Sequence, residues 1–320
     1  ANIRQLYSHI AQHKNKCGRW LLKKTIKIYF LTLIIHVLNT LIKPMKYFLV
    51  HLGSPFPKYV THCVNQIYKH DNQAEVLLCG DIYPEFINNK FNFVNTNELD
   101  LPSFDYLKDD PCPLWHTALM RVFVINAFMQ KTGTEGLIHF DNDVMIFGDF
   151  NKIKKNFNRK NYITPHKKTE YTFGFSYLNN KEEFNALTNE IYKTVLLGER
   201  KVRQLTGDEA HEMRLLGYCA NNLIEDLPVH PSMGSIENCI FDPSSWGQYA
   251  GGTPDGFSPG FIDPTQLVGS ILTKNKETPV LLYKPETDTY HLKYDNDVYQ
   301  VFNLHIHSKK LQLFEKWKKK

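Results

Sequence analysis

A chain of 320 residues with 42% apolar and 22% charged side chains can bury a sizeable core, so it is neither a disordered, a collagenous nor a many-span membrane protein. Its formal net charge of +5 conceals an uneven spread: residues 1–46 hold nine Lys and Arg and no acid, residues 309–320 hold six Lys and one Glu, and residues 47–308 carry 23 basic against 32 acidic side chains. An acidic body between basic ends argues against a dedicated nucleic-acid binder, which keeps its basic patch on the folded domain.

The first segment is a basic extension over residues 1–46. Residues 26–42 are strongly apolar and flanked by Lys23, Lys24 and Lys27 on one side and Lys43 and Lys46 on the other. At helical spacing Thr25, Thr32, His36, Asn39, Thr40 and Lys43 share an arc of roughly 100°, and Pro44 ends the run. This pattern predicts an amphipathic helix with a wide apolar face. Seventeen residues is the short limit for a span, and no small-residue cleavage site marks a secretory signal. Three placements stay open: in an anionic membrane interface, against the body or a partner chain, or across a bilayer. Six cysteines without a Cys-x-x-Cys pair, and the lack of any Asn-x-Ser/Thr sequon, point to a reducing, cytoplasmic setting without a structural zinc.

Residues 47–320 read as one α/β domain with a basic tail. Residues 47–52 form a buried strand, broken by Gly53-Ser54-Pro55; residues 58–69 put Val60, Cys63, Val64, Ile67 and Tyr68 on one helical face; residues 75–79 form a second strand. Strand, helix, strand predicts the opening of a parallel sheet. Residues 81–113, with Pro84, Pro102, Pro111 and Pro113, read as irregular. A helix over 114–131 stops at Thr132-Gly133, and a strand over 136–140 runs into Asp141-Asn142-Asp143 and the apolar residues 144–147. The Lys- and Asn-rich residues 151–168 read as an exposed excursion, 171–177 as a strand, and 181–197 and 208–217 as helices. Residues 242–264 read as a long ordered loop over a ligand or partner surface, and 301–307 as the last strand.

Three clusters carry candidate chemistry. Alternation along an extended chain puts Asp141 and Asp143 on one side, where two carboxylates repel unless a cation neutralises them. Oxygen ligands suit Mg²⁺ or Mn²⁺, which also hold phosphates, and ligands of open α/β sheets sit at the carboxyl ends of strands. A solvated acidic turn is the competing reading. In the last strand Asn303, His305 and His307 face one side, next to Lys309, which offers a metal ligand and a phosphate contact. In the run Trp246-Gly247-Gln248-Tyr249-Ala250-Gly251-Gly252, Gly251 and Gly252 allow a close backbone approach, Trp246 and Tyr249 can stack on a ring, and Gln248 and Asp255 can read hydroxyls. Asp208-Glu209-Ala210-His211 spells a helicase box, but the chain has no phosphate-binding Gly-x4-Gly-Lys loop to go with it.

Over roughly residues 47–309 the order of these features resembles glycosyltransferases of the GT-A type: Gly53-Ser54 at a strand end, Trp115 and Arg121 on a helix, Asp141-Asn142-Asp143, then His305, His307 and Lys309. The Gly-Gln-Tyr-x-Gly-Gly loop and His-Ile-His-Ser-Lys are also similar to a set of viral and bacterial sugar transferases, including a chlorella-virus rhamnosyltransferase domain. The resemblance implies a Rossmann-like mixed, mainly parallel sheet flanked by helices. It implies a divalent ion, Mn²⁺ or Mg²⁺, on Asp141, Asp143 and His307 or His305. It implies a nucleotide-sugar donor, a UDP-sugar first, contacted by Gly53, Ser54, Arg121, Asn142, Gln248, Gly251, Gly252 and Lys309. The Lys-Pro-Trp that follows the late histidine in glycogenin-like members is missing here, which leaves the choice between the histidines open. If the reaction inverts, Asp208, Glu209 and Asp242 head the candidates for its base. The acceptor is then a glycan or a glycolipid, met at the anionic cytoplasmic face of a membrane to which the basic ends are drawn. A nucleotidyltransferase, a catalytically dead glycan-binding scaffold and a metallohydrolase are the alternatives.

Overall fold

The computed structural model describes residues 25, 44–108, 113–207, 210–254, 260 and 262–316. The chain divides into two units, Ala1–Pro44 and Met45–Lys320. The amphipathic helix expected over residues 26–42 lies outside the described residues, as do the tail residues 317–320. Among the described residues no helix is long and apolar enough to cross a membrane.

The second unit is built on strand β1, Lys46–His51, whose middle is buried on both faces. Tyr47 and Leu49 enter one core, and Phe48 and Val50 the other. Burial on both faces is why the run reads as continuously apolar rather than alternating. Helix α1, Val60–His70, buries Val60, Cys63, Val64 and Ile67 in the first core, the i, i+3, i+4, i+7 face the sequence predicts. The chain returns as β2, Glu75–Gly80, parallel to β1, and then as β3, Asn92–Asn95, parallel to β2. β3 lies within the stretch expected to be irregular; four residues with a polar residue at each end are too few for a periodic signal.

Helix α2, Pro113–Thr132, covers the second core with Leu119, Val122, Phe123 and Met129. Strand β4, Leu137–His139, then lies parallel to β1 on the side away from β2. After β5, Val144–Ile146, come β6, Asn161–Lys167, and β7, Glu170–Leu178. Helices α3, Lys181–Val195, α4, Glu199–Thr206, and α5, Glu212–Cys219, precede the short β8, Glu225–Asp226. The main sheet has the order β3-β2-β1-β4-β7-β6-β8, with β7 antiparallel to both neighbours and every other pair parallel. It is the mixed, mainly parallel sheet with helices on both faces that the sequence leads one to expect. The topology reverses between β1 and β4, and the crevice at the carboxyl ends of such a pair is where open α/β sheets bind ligands.

Two expectations need correction. The 151–168 stretch is exposed only in part: Ile153 enters the core, and Ile163 and Thr164 of β6 are buried between β7 and β8. Lysines and asparagines around the strand hid its apolar centre. The last strand is two strands. Strand β9, Cys239–Ile240, and helix α6, Leu267–Asn275, lead into β10, Val280–Lys284, β11, Thr289–Tyr294, and β12, Asp297–Val301. These strands form a sheet in the order β10-β11-β12-β9. Phe302 then crosses out of it, and β13, Asn303–His305, pairs antiparallel with β5, ahead of helix α7, Leu311–Lys316.

Asp288, buried at the β10–β11 turn, ties this sheet to α1. Its carboxylate accepts from Gln66 Nε2 at 2.9 Å and Tyr283 Oη at 2.6 Å, lies 3.4 Å from His70 Nε2, and pairs with Lys69. Burial pushes this carboxyl up, but His70, Lys69, Tyr283 and Gln66 outweigh it and hold it well below the ordinary range. Asp288→Ala is expected to cost about 2 kcal/mol at pH 7. Because the folded value is depressed, the contribution is present above the ordinary carboxyl value of 3.8 and fades as the pH falls below it. Urea midpoints at pH 7 and pH 3 check this; an unchanged gap between variant and wild type at pH 3 contradicts it.

Candidate functional site

The Asp141-Asn142-Asp143 turn lies just beyond the end of β4, closed by Val144 N donating to Asp141 O at 3.0 Å. Asn142 braces the turn on β1: its Nδ2 donates to Val50 O at 2.9 Å. β5 leaves the turn directly and pairs with β13 in a register that sets His305 opposite Val144, while Ile306 N donates to Asp143 O at 2.8 Å. The two motifs thus meet through a two-strand ladder. His305 Nε2 lies 3.0 Å from Asp143 Oδ1, and Lys309 Nζ pairs with Asp143 Oδ2. The ring of His307 stacks on that of His305, centroids 4.3 Å apart and planes 13° apart.

Asp143, His305 and His307 each offer one ligand atom, and these atoms lie within 4.8 Å of one another. His305 Nδ1 and His307 Nε2 are buried without a hydrogen-bond partner. Buried polar atoms are seldom left so, and a carboxylate with two imidazoles is a donor set that fits a divalent ion. Burial pushes the Asp143 carboxyl up, but His305 and Lys309 outweigh it and hold it well below the usual range. Burial and the neighbouring His305 push His307 down to about 3, leaving it neutral with a lone pair to give.

Asp141 stands at the edge of this cluster. Its Oδ2 is 3.7 Å from His305 Nε2, while its Oδ1 takes the guanidinium of Arg121 from α2. Arg121 also donates to Glu212 Oε1 at 3.2 Å and lies over the Phe173 ring, 5.3 Å from its centroid. Sequence reasoning did not single out Glu212. It occupies the first turn of α5 on the face shared with Leu215, Leu216 and Cys219, and an acid on the buried face of an amphipathic helix was the available signal. Burial, with the Asp141 charge adding, outweighs Arg121 and raises the Glu212 carboxyl to about 7.

These groups line one cleft of about 430 Å³. Its other walls include His51, Tyr59, Trp115, His166 and Ser244. Gly53 and Ser54 stand at the exposed end of β1, just outside the lining. Gly53 takes φ +76°, a conformation that favours glycine, and its N–H donates to Asp81 Oδ2 at 3.0 Å. Ser54 Oγ is 2.9 Å from His51 Nε2.

The Gly-Gln-Tyr-x-Gly-Gly run does not wall the cleft; it supports the strand that does. Trp246 is wholly buried and donates Nε1–H to Val229 O at 2.9 Å, so it is core rather than a stacking platform. A Cβ on Gly247 would lie 2.0 Å from the His305 carbonyl oxygen, a contact only glycine permits. Gln248 and Gly252 are buried beside this turn, Gly251 is exposed, and Gly252 O accepts from Ser308 N at 3.0 Å. Asp242, expected as a base, is fully buried behind the cluster. Its carboxylate accepts from the backbone N–H groups of Ser244, Trp246, Gly247 and His305 at 2.7–2.9 Å. Four donors saturate it, which makes it a tie between this turn and β13. The aromatics that do line the cleft include Tyr59 and Trp115, the latter stacked on His211 at 4.6 Å. Asp208, Glu209 and Asp255 lie outside the described residues.

Cys63, Cys79, Cys219 and Cys239 are buried and not in disulfides, and the Cys63 thiol donates to Asn142 O at 2.8 Å beneath the Asp-Asn-Asp turn. No protein-family model matches the chain, and no curated protein matches it. Among solved structures the chain is similar to the glycosyltransferase GlyE of Streptococcus pneumoniae TIGR4, at 10% identity and a TM-score of 0.40, over 58% of this chain and 45% of GlyE. It thus spans less than half the length of that structure. It is also similar to the PaToxG glycosyltransferase, at 12% identity and a TM-score of 0.38, over 65% and 80% of the two chains. With mouse xyloside xylosyltransferase 1 the identity is 10% and the TM-score 0.37, over 58% and 86%.

Proposed function

We propose that this protein is a metal-dependent glycosyltransferase that moves a sugar from a nucleotide-sugar, a UDP-sugar first, to a glycan or lipid-linked acceptor. The observation that carries the reading is the Asp143–His305–His307 cluster with Lys309 against it, in the cleft where the sheet topology reverses. Function is argued from such a site, not from the fold. Asp143, His305 and His307 would hold Mn²⁺ or Mg²⁺, with Asp141 at the edge, and the ion would supply Lewis-acid stabilisation to a diphosphate leaving group. Lys309 adds a mobile positive charge at the same wall. Arg121, held between Asp141 and Glu212, is a fixed cation for the donor. Glu212, titrating near neutrality inside the cleft, is suited to exchange a proton with an acceptor hydroxyl. Its place in the cleft favours it for that role over Asp242, which is fully buried and does not line the cleft. A location at the anionic cytoplasmic face of a membrane belongs to the same reading and rests on the basic ends.

A donor panel tests this. With Mn²⁺ and one of the UDP-, GDP- or dTDP-sugars, the chain is expected to hydrolyse donor slowly and to melt several degrees higher, as a ligand at about 100 times its Kd adds roughly 2.7 kcal/mol. No metal-dependent shift with any nucleotide sinks the proposal. Turnover of a nucleoside triphosphate without sugar transfer favours the nucleotidyltransferase, and glycan binding that survives Asp143→Ala without metal favours the scaffold. Cosedimentation with anionic liposomes, lost at high salt, is expected of the full chain; no cosedimentation removes the membrane placement.

A further inference from the structure

We infer that Lys309 is the resident counter-ion of the metal site: its amine holds Asp143 when no divalent ion is bound, and an entering ion must displace it. This rests on the metal-dependent reading above and adds a competitor built into the chain.

Both oxygens of Asp143 are engaged, Oδ1 by His305 Nε2 at 3.0 Å and Oδ2 by Lys309 Nζ. The Asp143 side chain is 6% exposed, whereas that of Lys309 is 50% exposed. A buried carboxylate stripped of its partner is costly, so an occupant of Oδ2 stabilises the fold when no metal is there. An ammonium and a divalent cation on the same carboxylate repel each other at contact distance, so the presence of one opposes the binding of the other.

The chain separates what stays from what moves. The backbone is pinned: Ser308 N donates to Gly252 O at 3.0 Å and Lys309 N to Ile306 O at 2.9 Å. Lys309 itself takes a left-handed φ of +59° and lines the cleft wall. Only the flexible side chain, half in solvent, needs to swing. Arg121 cannot play this part, since it is buried and shared between Asp141 and Glu212. Displacement frees a cation at the cleft wall, so metal binding and the binding of an anionic ligand are coupled through one side chain.

The test is direct titration of the full chain with Mn²⁺ alone, following free Mn²⁺ by electron paramagnetic resonance. Lys309→Met and Lys309→Gln are expected to bind Mn²⁺ about tenfold more tightly than wild type, a change of about 1.4 kcal/mol. Lys309→Arg is expected to stay near the wild-type affinity, because it keeps the competing charge. Equal or weaker Mn²⁺ binding in both neutral variants overturns the inference and leaves the metal site standing. Absence of Mn²⁺ binding in all four proteins overturns the inference together with the metal-dependent reading.

Discussion

Asp143→Ala is expected to lower kcat/KM for metal-dependent donor turnover by roughly 10³-fold, the scale of removing a principal electrostatic stabiliser from a site. It is also expected to abolish the rise in Tm expected of the wild type with Mn²⁺ and a nucleotide-sugar. Asp143 is the one carboxylate whose oxygen lies within the cluster formed with His305 and His307, among the described residues. Asp141→Ala is expected to cost less in Mn²⁺ affinity, because Asp141 stands at the cluster's edge and is paired with Arg121. Its effect is to loosen Arg121. Isothermal titration of both variants with Mn²⁺ separates the two; a larger loss from Asp141→Ala than from Asp143→Ala contradicts this division of roles.

Arg121→Met is expected to destabilise the fold by about 3–5 kcal/mol, the cost of removing one partner from a buried charge network. Burial alone pushes the guanidinium down, but Asp141 and Glu212 more than compensate and raise it above its ordinary value. Without it two carboxylates are left facing one cleft. Glu212 carries the pH signature. Its folded value of about 7 exceeds the ordinary 4.5, so the folded chain holds the extra proton between those values. Its contribution to stability is therefore complete below pH 4.5 and is lost as the pH rises through 7. Glu212→Gln is expected to flatten that decline, and Arg121→Met to extend it to higher pH. Urea midpoints from pH 5 to pH 8.5 check both; a Glu212→Gln profile parallel to wild type refutes the assignment.

The parts that could be read along the chain are those with local causes. The apolar runs of β1 and β2 and the stripe Val60, Cys63, Val64, Ile67 announced a parallel α/β opening. Alternation put His305 and His307 on one side, and their rings do stack. The same rule put Asp141 and Asp143 together, yet the turn gives one to the cluster and the other to Arg121. Polar type alone misled twice. Asp242 and Trp246 have the composition of a ligand loop but are spent inside the fold, on backbone N–H groups and on the core. Glu212, which no local motif marks, lies on the buried face of its helix and lines the cleft.

By itself, then, the sequence determined the elements with a strong apolar period and the direction each side chain leaves them, since a period of 2.0 or 3.6 is a property of neighbouring residues, but not the short β3, the polar-flanked β6 or the break between β12 and β13. Which groups meet was decided only by the tertiary structure. Lys309 reaches Asp143 across 166 residues of chain because β13 pairs with β5 in one register, and a slip of one residue would turn His305 to the opposite face. That register is chosen by the burial of Leu304 and Ile306 in the core and by the Gly247 turn pressed against β13, neither of which is visible one strand at a time.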